Sequence, residues 1–500
     1  MELTLTAAPG EVSLLPGVPT RVWRFTGEVV KGPADTLQVL EGSYLGPVIR
    51  LVRGQRVRIR FANRLPEPSI VHWHGLDVPE AADGHPRLAI SGGQDYTYDF
   101  TVTNRAGTYW YHPHPHLRTG PQVYLGLAGL LMVSDPEEAA LGLPSGDGEL
   151  LCALQDRRFD AGNQLVYPNL LPSGTLATGQ TGGMAMGGQR GRGMGMGMGR
   201  GMGGGMAMGM SMELMNGWLG SRMLVNGLVQ PTRVVDRRTY RVRLINASNA
   251  RFYKLAWSDG TPMTVIGNDG GLFDRPRELA ALTMAPGQRA DVILDLSTHA
   301  SGSSVQLTSL AFPEDAAGRV GMMDETSSVP QGAALTLMTL RVSAASGPRY
   351  LVPPTLTTDL FRASVSAPVR RVPITFMMMN WLIDGRTFEM DEATAAETVA
   401  PGSTHIWELV NQPNPMGMAA AHPVHLHGPQ FRVLSRTGGG PNPLREGIHD
   451  AGWTDTVIVL PGETVRVQVT FSTYPGWYLY HCHILEHEDM GMMRNFRIRA

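Results

Sequence analysis

The 500-residue chain is poor in several things that whole classes of protein depend on. It has two cysteines, Cys152 and Cys482, so a disulfide framework is excluded, because a single bridge would consume both thiols. Its 42 basic and 44 acidic side chains nearly cancel, leaving a net charge of −2 and no large field to hold nucleic acid or an anionic membrane. No apolar run approaches the ~20 residues of a spanning helix, and the start, Met1-Glu-Leu-Thr-Leu-Thr, lacks a basic region followed by an apolar one. Either the chain is cytoplasmic or a signal has been removed. Charged residues make up only 17% of the chain, whereas 60 Gly and 36 Pro favour many strands and turns over long surface helices. At roughly 100–200 residues per domain, two to four cores are expected.

Alternation with a period of two recurs over strand-length segments. Examples are Arg56-Val-Arg-Ile-Arg-Phe61, Tyr240-Arg-Val-Arg-Leu-Ile245 and Val465-Arg-Val-Gln-Val-Thr-Phe471, all read as half-buried strands. Similar turns precede several strands: Gly54-Gln-Arg, Pro286-Gly-Gln-Arg, Pro401-Gly-Ser-Thr and Pro461-Gly-Glu-Thr. A repeated β-sandwich unit is the reading. The two ends of the chain also repeat one another. His72-Trp-His74-Gly75 returns as His425-Leu-His427-Gly428, and Gly107-Thr-Tyr-Trp-Tyr-His112-Pro-His114 returns as Gly476-Trp-Tyr-Leu-Tyr-His481-Cys-His483. Turn-rich breaks near 147 and 348 predict domains at 1–147, 148–348 and 349–500, the first and last being copies. Residues 174–215 stand apart. Of the 28 methionines, 11 lie between Met184 and Met215 among glycines, a composition that cannot offset its ordering entropy with a packed core and reads as an inserted mobile loop.

Imidazole suits copper, zinc, iron or nickel, and a thiolate with a thioether shifts the choice toward copper. In a strand, residues i and i+2 share a side and i+1 faces the other. His481 and His483 therefore reach one metal group while Cys482 reaches a second, and each of His72/His74, His112/His114 and His425/His427 projects a pair of rings. His487 and Met492 lie close enough in sequence to return to the metal of Cys482, and His422 completes two His, one Cys and a weak axial Met, the set of a blue-copper site. Ten of the 15 histidines are thereby used.

The segments His72-Trp-His-Gly, His112-Pro-His, His422-Pro-Val-His-Leu-His-Gly and His481-Cys-His-Ile-Leu-Glu-His-Glu-Asp-Met-Gly-Met resemble the four copper-binding motifs of three-domain multicopper oxidases. The likeness is greatest to the bacterial laccase and copper-efflux oxidase branch, which shares the look of Gln155-Asp-Arg-Arg-Phe159, Gly217-Trp-Leu-Gly220 and Ala451-Gly-Trp-Thr-Asp-Thr-Val457. The resemblance implies an all-β chain of three cupredoxin-like Greek-key sandwiches with four copper ions. The type 1 copper would take His422, Cys482, His487 and axial Met492. The type 2 copper would take His72 and His425, and the type 3 pair His74, His112, His114, His427, His481 and His483. It further implies one-electron oxidation of phenols, aromatic amines or Cu(I), accepted near an exposed edge of His422 or His487, with O₂ reduced by four electrons to water. Asp83 and Glu488 are the implied proton-relay acids. A monomer is expected, working in the periplasm or outside the cell after removal of a signal, with no nucleic-acid or membrane partner.

Other readings stand beside this one. A dedicated cuprous oxidase would share the ligand set. A copper-free structural protein of the same fold would be expected to have lost ligands that this chain keeps, and a copper nitrite reductase would not need four paired motifs. His116 reads as a surface or supporting residue, and His85, His299, His405 and His449 as solvated or hydrogen-bonded side chains. Cys152 reads as a buried apolar thiol. The methionine tract has three readings: Cu(I) association, neutral linker or sacrificial oxidation surface. Relatives of the copper-efflux type carry such an insert in the third domain rather than the second. The segment Asn414-Pro-Met-Gly-Met418 also lacks their Asp-x-Met pattern before His422, where Met416 and Met418 would be the substitutes.

Overall fold

The structure, a computed structural model, describes residues 1–168, 213–318, 328–358, 361, 363–364 and 366–499. The methionine tract therefore lies outside the described residues up to 212. Six sheets are built among the described residues, two from strands within 2–134, two within 149–346 and two within 369–498. In each region one apolar cluster joins both sheets. Leu5, Val57 and Phe61 meet Ile49, Tyr111 and Leu131 in the first. Leu244 and Val292 meet Leu255 and Leu340 in the second, and Ile374 and Val467 meet Val424 and Phe496 in the third. These are β-sandwiches, as expected, each holding its core between the layers.

The alternation accounts for the strands directly. In Arg56–Asn63 the side chains of Val57, Ile59 and Phe61 are buried while Arg56, Arg58 and Arg60 face water. The turn glycines Gly54, Gly287, Gly402 and Gly462 all have φ between 69° and 87°, a left-handed conformation in which a Cβ is disfavoured. One strand departs from the half-buried reading. Every residue of Thr239–Asn246 is buried, including Arg241 and Arg243. Carboxylates cover the face expected to meet water: Arg241 pairs with Glu138 and Asp291, and Arg243 with Glu149 at 2.6 Å. The first region packs against that face, so the arginines are neutralised rather than hydrated.

The internal repeat is reproduced in strand register. His72 lies opposite His112 where Val71–His74 pairs with Gly107–Pro113, and His425 lies opposite His481 where His422–Leu426 pairs with Gly476–Cys482. One step along, Val71 faces Pro113 in the first copy and Val424 faces Cys482 in the last. Pro113 thus holds the place that Cys482 takes at the other end of the chain.

Candidate metal centre

The paired strands deliver His72, His74, His112, His425 and His481, while His114, His427 and His483 sit just beyond strand ends. All eight are fully buried. Seven of them fall into overlapping groups whose ligand atoms lie within 4.8 Å of one another: His72 with His74 and His112, His72 with His425 and His427, and His114 with His427 and His481. The eighth, His483, has its ring 4.9 Å from that of His74. Both copies of the repeat therefore contribute to one cluster of rings.

Hydrogen bonds decide which nitrogen of each ring carries its proton. Nδ1 donates to a carbonyl in four rings: His72 to Asp83 O at 2.6 Å, His112 to Pro113 O at 2.9 Å, His425 to Asp455 O at 2.9 Å and His481 to Cys482 O at 3.1 Å. In His427, Nδ1 donates to Asp83 Oδ2 at 2.8 Å. Each of these rings keeps a bare lone pair at Nε2, and the lone pairs face one another. His72 Nε2 is 3.4 Å from His425 Nε2, and His427 Nε2 is 3.2 Å from His481 Nε2. Protonation does not relieve the opposition, because burial, and then the neighbouring rings, hold His72, His427 and His481 well below the usual imidazole range. Neutral lone pairs opposed in a buried site repel, and a cation between them converts that repulsion into coordination. His112 Nε2, His74 Nδ1, His114 Nδ1 and both nitrogens of His483 are buried without a protein partner. The donor set fits a metal ion, and its all-imidazole chemistry fits copper.

A second centre lies on the other side of the Gly476–Cys482 strand. Cys482 Sγ is 3.4 Å from His422 Nδ1 and 3.5 Å from His487 Nδ1. His487 stands on the short helix Leu485–Asp489, and its Nε2 donates to Met215 O at 2.8 Å, which leaves Nδ1 free for the metal. Met492 is fully buried, and its carbonyl accepts from Cys482 N at 3.1 Å. Burial pushes the Cys482 thiol up, so metal binding must displace its proton.

Neither His422 nor His487 has the exposed edge that the resemblance implied; both are fully buried. The Trp381 ring packs 4.4 Å from His422 and 5.3 Å from His487, and its Nε1 donates to the same Met215 carbonyl at 3.0 Å. The helical turn at residues 213–216, in which the methionine tract ends at Met215, thus closes over the cysteine-containing centre.

The two acids singled out from the sequence are both at the histidine cluster. Asp83, on the turn Glu80–Asp83, binds His427 through Oδ2, while its Oδ1 has no hydrogen-bond partner and lies 3.7 Å from His72 Nδ1. Glu488 Oε1 lies 3.4 Å from His114 Nε2, and Oε2 lies 3.3 Å from His481 Nδ1. Desolvation, foremost, raises both carboxyls well above their usual range. His116 is exposed against Phe388, and His85 bonds Asn495 Oδ1 at 2.8 Å. His299 pairs with Asp259, His405 bonds Ser403, and His449 is half-buried against Phe273. Cys152 is buried in the apolar cluster of the middle region, which pushes its thiol up to about 12.

Sequence reasoning missed Asp455. Its carboxylate accepts from His74 Nε2 at 3.0 Å, its carbonyl holds His425, and it is gripped by Arg289. In sequence, Ala451–Val457 carries only a general likeness to the family and no ligand-type spacing around Asp455, and Arg289 lies 166 residues away.

Family models described as multicopper oxidase match residues 23–138, 196–303 and 363–500. A laccase of Bacillus stratosphericus is 30% identical over 92% of this chain and 90% of its own length. The crystal structure of a multicopper oxidase from the hyperthermophile Aquifex aeolicus is 32% identical, with a TM-score of 0.77 over 100% of this chain and 96% of that one. A laccase-like multicopper oxidase of an Ochrobactrum species, described with oxidase activity towards lignin model compounds and lignosulfonate, is 27% identical. Its TM-score is 0.74 over 100% of this chain and 97% of its own.

Proposed function

The chain belongs to the multicopper oxidase family, and from that premise we propose that it oxidises phenols, aromatic amines or Cu(I) one electron at a time, in reactions coupled to four-electron reduction of O₂ to water. We assign the type 1 copper to His422, Cys482, His487 and Met492 and the type 2 copper to His72 and His425. The type 3 pair goes to His74, His112, His114, His427, His481 and His483. The observation that carries the assignment is the opposition of bare imidazole lone pairs at 3.2 Å and 3.4 Å. When bound, the four coppers supply the one-electron steps that O₂ reduction requires.

The protein's own part is positional. Cys482 sits between His481 and His483, so one short peptide run links the two centres. Asp83 orients His427 through Oδ2 and His72 through its carbonyl, and carries its proton at the unpartnered Oδ1. Glu488 holds a proton beside His114 and His481. Asp83→Asn is expected to lower both turnover and trinuclear copper affinity roughly 10–100-fold while the visible colour of the type 1 site stays unchanged. Copper analysis and a rate assay on one preparation check this; full copper at full rate would remove Asp83 from the site.

Exposed thioethers on the strand pair that covers the type 1 site favour a second reading, the dedicated cuprous oxidase. Met377, Met378 and Met379 are 54%, 86% and 53% exposed, at the turn between Val369–Met377 and Asn380–Ile383, the strand that carries Trp381. Thioether sulfur suits Cu(I). Replacing the three by leucine is expected to raise KM for Cu(I) severalfold and leave phenol oxidation unchanged. The companion test removes residues 184–212 and compares Cu(I) with a phenol side by side; unchanged rates on both would sink any catalytic role for the tract. Among the described residues no helix is long and apolar enough to cross a membrane. We further propose a monomer that works in the periplasm or outside the cell, on small reductants and O₂, without nucleic-acid or membrane partners.

A further inference from the structure

Arg289 comes from the middle region, which contributes none of the assigned copper ligands, yet its fully buried guanidinium ends at the trinuclear site. All five of its N–H groups are directed. Nε donates to Thr108 O at 3.0 Å, Nη1 to Gly287 O at 3.1 Å and Asp455 Oδ1 at 2.7 Å, and Nη2 to Asp269 O at 3.1 Å and Asp455 Oδ2 at 2.5 Å. A guanidinium so held cannot turn, and its planar fork fixes the Asp455 carboxylate in place. Held as an anion, that carboxylate only accepts, and one proton it accepts is on His74 Nε2 at 3.0 Å.

Within the eight-histidine cluster, His74 is thereby turned the opposite way from the other rings whose donor is defined. His72, His112, His425, His427 and His481 donate through Nδ1 and keep Nε2 free, whereas His74 donates through Nε2 and keeps Nδ1 free. We propose that Arg289 is a positioning residue for the trinuclear centre: through Asp455 it sets the tautomer and rotation of His74, so that Nδ1 is presented to the metal. This rests on the copper assignment above.

The glycine of the first His-x-His-Gly supports the proposal independently. A Cβ at Gly75 would stand 2.6 Å from both Arg289 Nη2 and Asp455 Oδ2, whereas a Cβ at Gly428, its counterpart in the other copy, would meet nothing nearer than 3.7 Å. Both glycines have positive φ, +90° and +80°, so a side chain strains the backbone at either position and collides with the fork only at Gly75.

The test uses the full-length, copper-loaded protein and the variants Asp455→Asn, Arg289→Met, Arg289→Lys, Gly75→Ala and Gly428→Ala. Copper per chain, the type 2 electron paramagnetic resonance signal and the type 3 near-ultraviolet band are each read against the type 1 visible band. Asp455→Asn, Arg289→Met and Gly75→Ala are expected to keep the type 1 band and lose trinuclear copper, with affinity down roughly 10–100-fold. Arg289→Lys, which keeps the charge and loses the fork, is expected to recover part of the signal. Gly428→Ala is expected to retain it. Fork variants that hold four coppers with unaltered type 2 and type 3 signatures would overturn the proposal, and so would variants that lose the type 1 band in equal measure, since that marks a merely structural role. A parent protein that binds no copper would instead overturn the assignment on which the proposal rests.

Discussion

Replacing Cys482 with serine is expected to abolish both the visible colour and the oxidase activity, while the trinuclear ligands stay in place. The colour of a blue-copper site comes from the thiolate, and Cys482 is the sole thiol within reach of His422 and His487, at 3.4 Å and 3.5 Å. A serine hydroxyl fills nearly the same volume but is a hard, protonated donor in a site built from soft ones. It also removes the sulfur end of the short covalent run to His481 and His483. The backbone needs no adjustment, because Cys482 N still donates to Met492 O, so a folded, colourless protein with about one copper fewer per chain is the expected product. Absorption spectroscopy with copper analysis checks it. A blue Cys482→Ser protein, or one that oxidises substrate at the parental rate, would overturn the type 1 assignment.

Glu397→Gln is expected to destabilise the last sandwich by about 3 kcal/mol at neutral pH, and the deficit is expected to vanish in acid. Glu397 is buried at the end of the short helix Ala395–Glu397. Its carboxylate accepts from Arg494 Nε and Nη2, both at 2.9 Å, from Tyr480 Oη at 2.8 Å and from Thr394 N at 2.7 Å. Although burial pushes its pKa up, these donors outweigh it and bring the carboxyl from 4.5 down to about 2. A depressed folded-state pKa contributes stability that is fully present above the unfolded value and is lost as pH falls through the folded one. The window therefore runs from 4.5 down to about 2. Urea unfolding of parent and variant at pH 7 and near pH 3 measures it. A difference that persists undiminished in acid would show that lost packing, not the lost charge, is responsible. Because Tyr480 is two residues from Cys482, the same variant is expected to speed amide exchange in the strand that carries both centres.

The clustering of the paired histidines, and of Cys482 with His422 and His487, was legible because chemistry and repeat coincide in short motifs, and strand alternation carries i and i+2 to one side whatever the surrounding sheet. Residues whose role depends on distant partners were not. Arg241 and Arg243 sit in a sequence that alternates as a half-exposed strand does, and only Glu138, Glu149 and Asp291 explain their burial. The cover over His487 was hidden for a similar reason. It is a backbone carbonyl, at Met215, and a main-chain acceptor leaves no trace in residue type.

The pairing of Pro113 with Val71, where Cys482 pairs with Val424, has a consequence for how electrons are admitted. At the spacing of His422, Cys482, His487 and Met492, the first copy offers Ser69, Pro113, Arg118 and Val123, with no soft donor among them. Four separate replacements would be needed to open a second inlet there, and none alone gives a partial one. With the coppers assigned as proposed, the duplication yields a polarised circuit: both halves share the sink, and only one carries the feed.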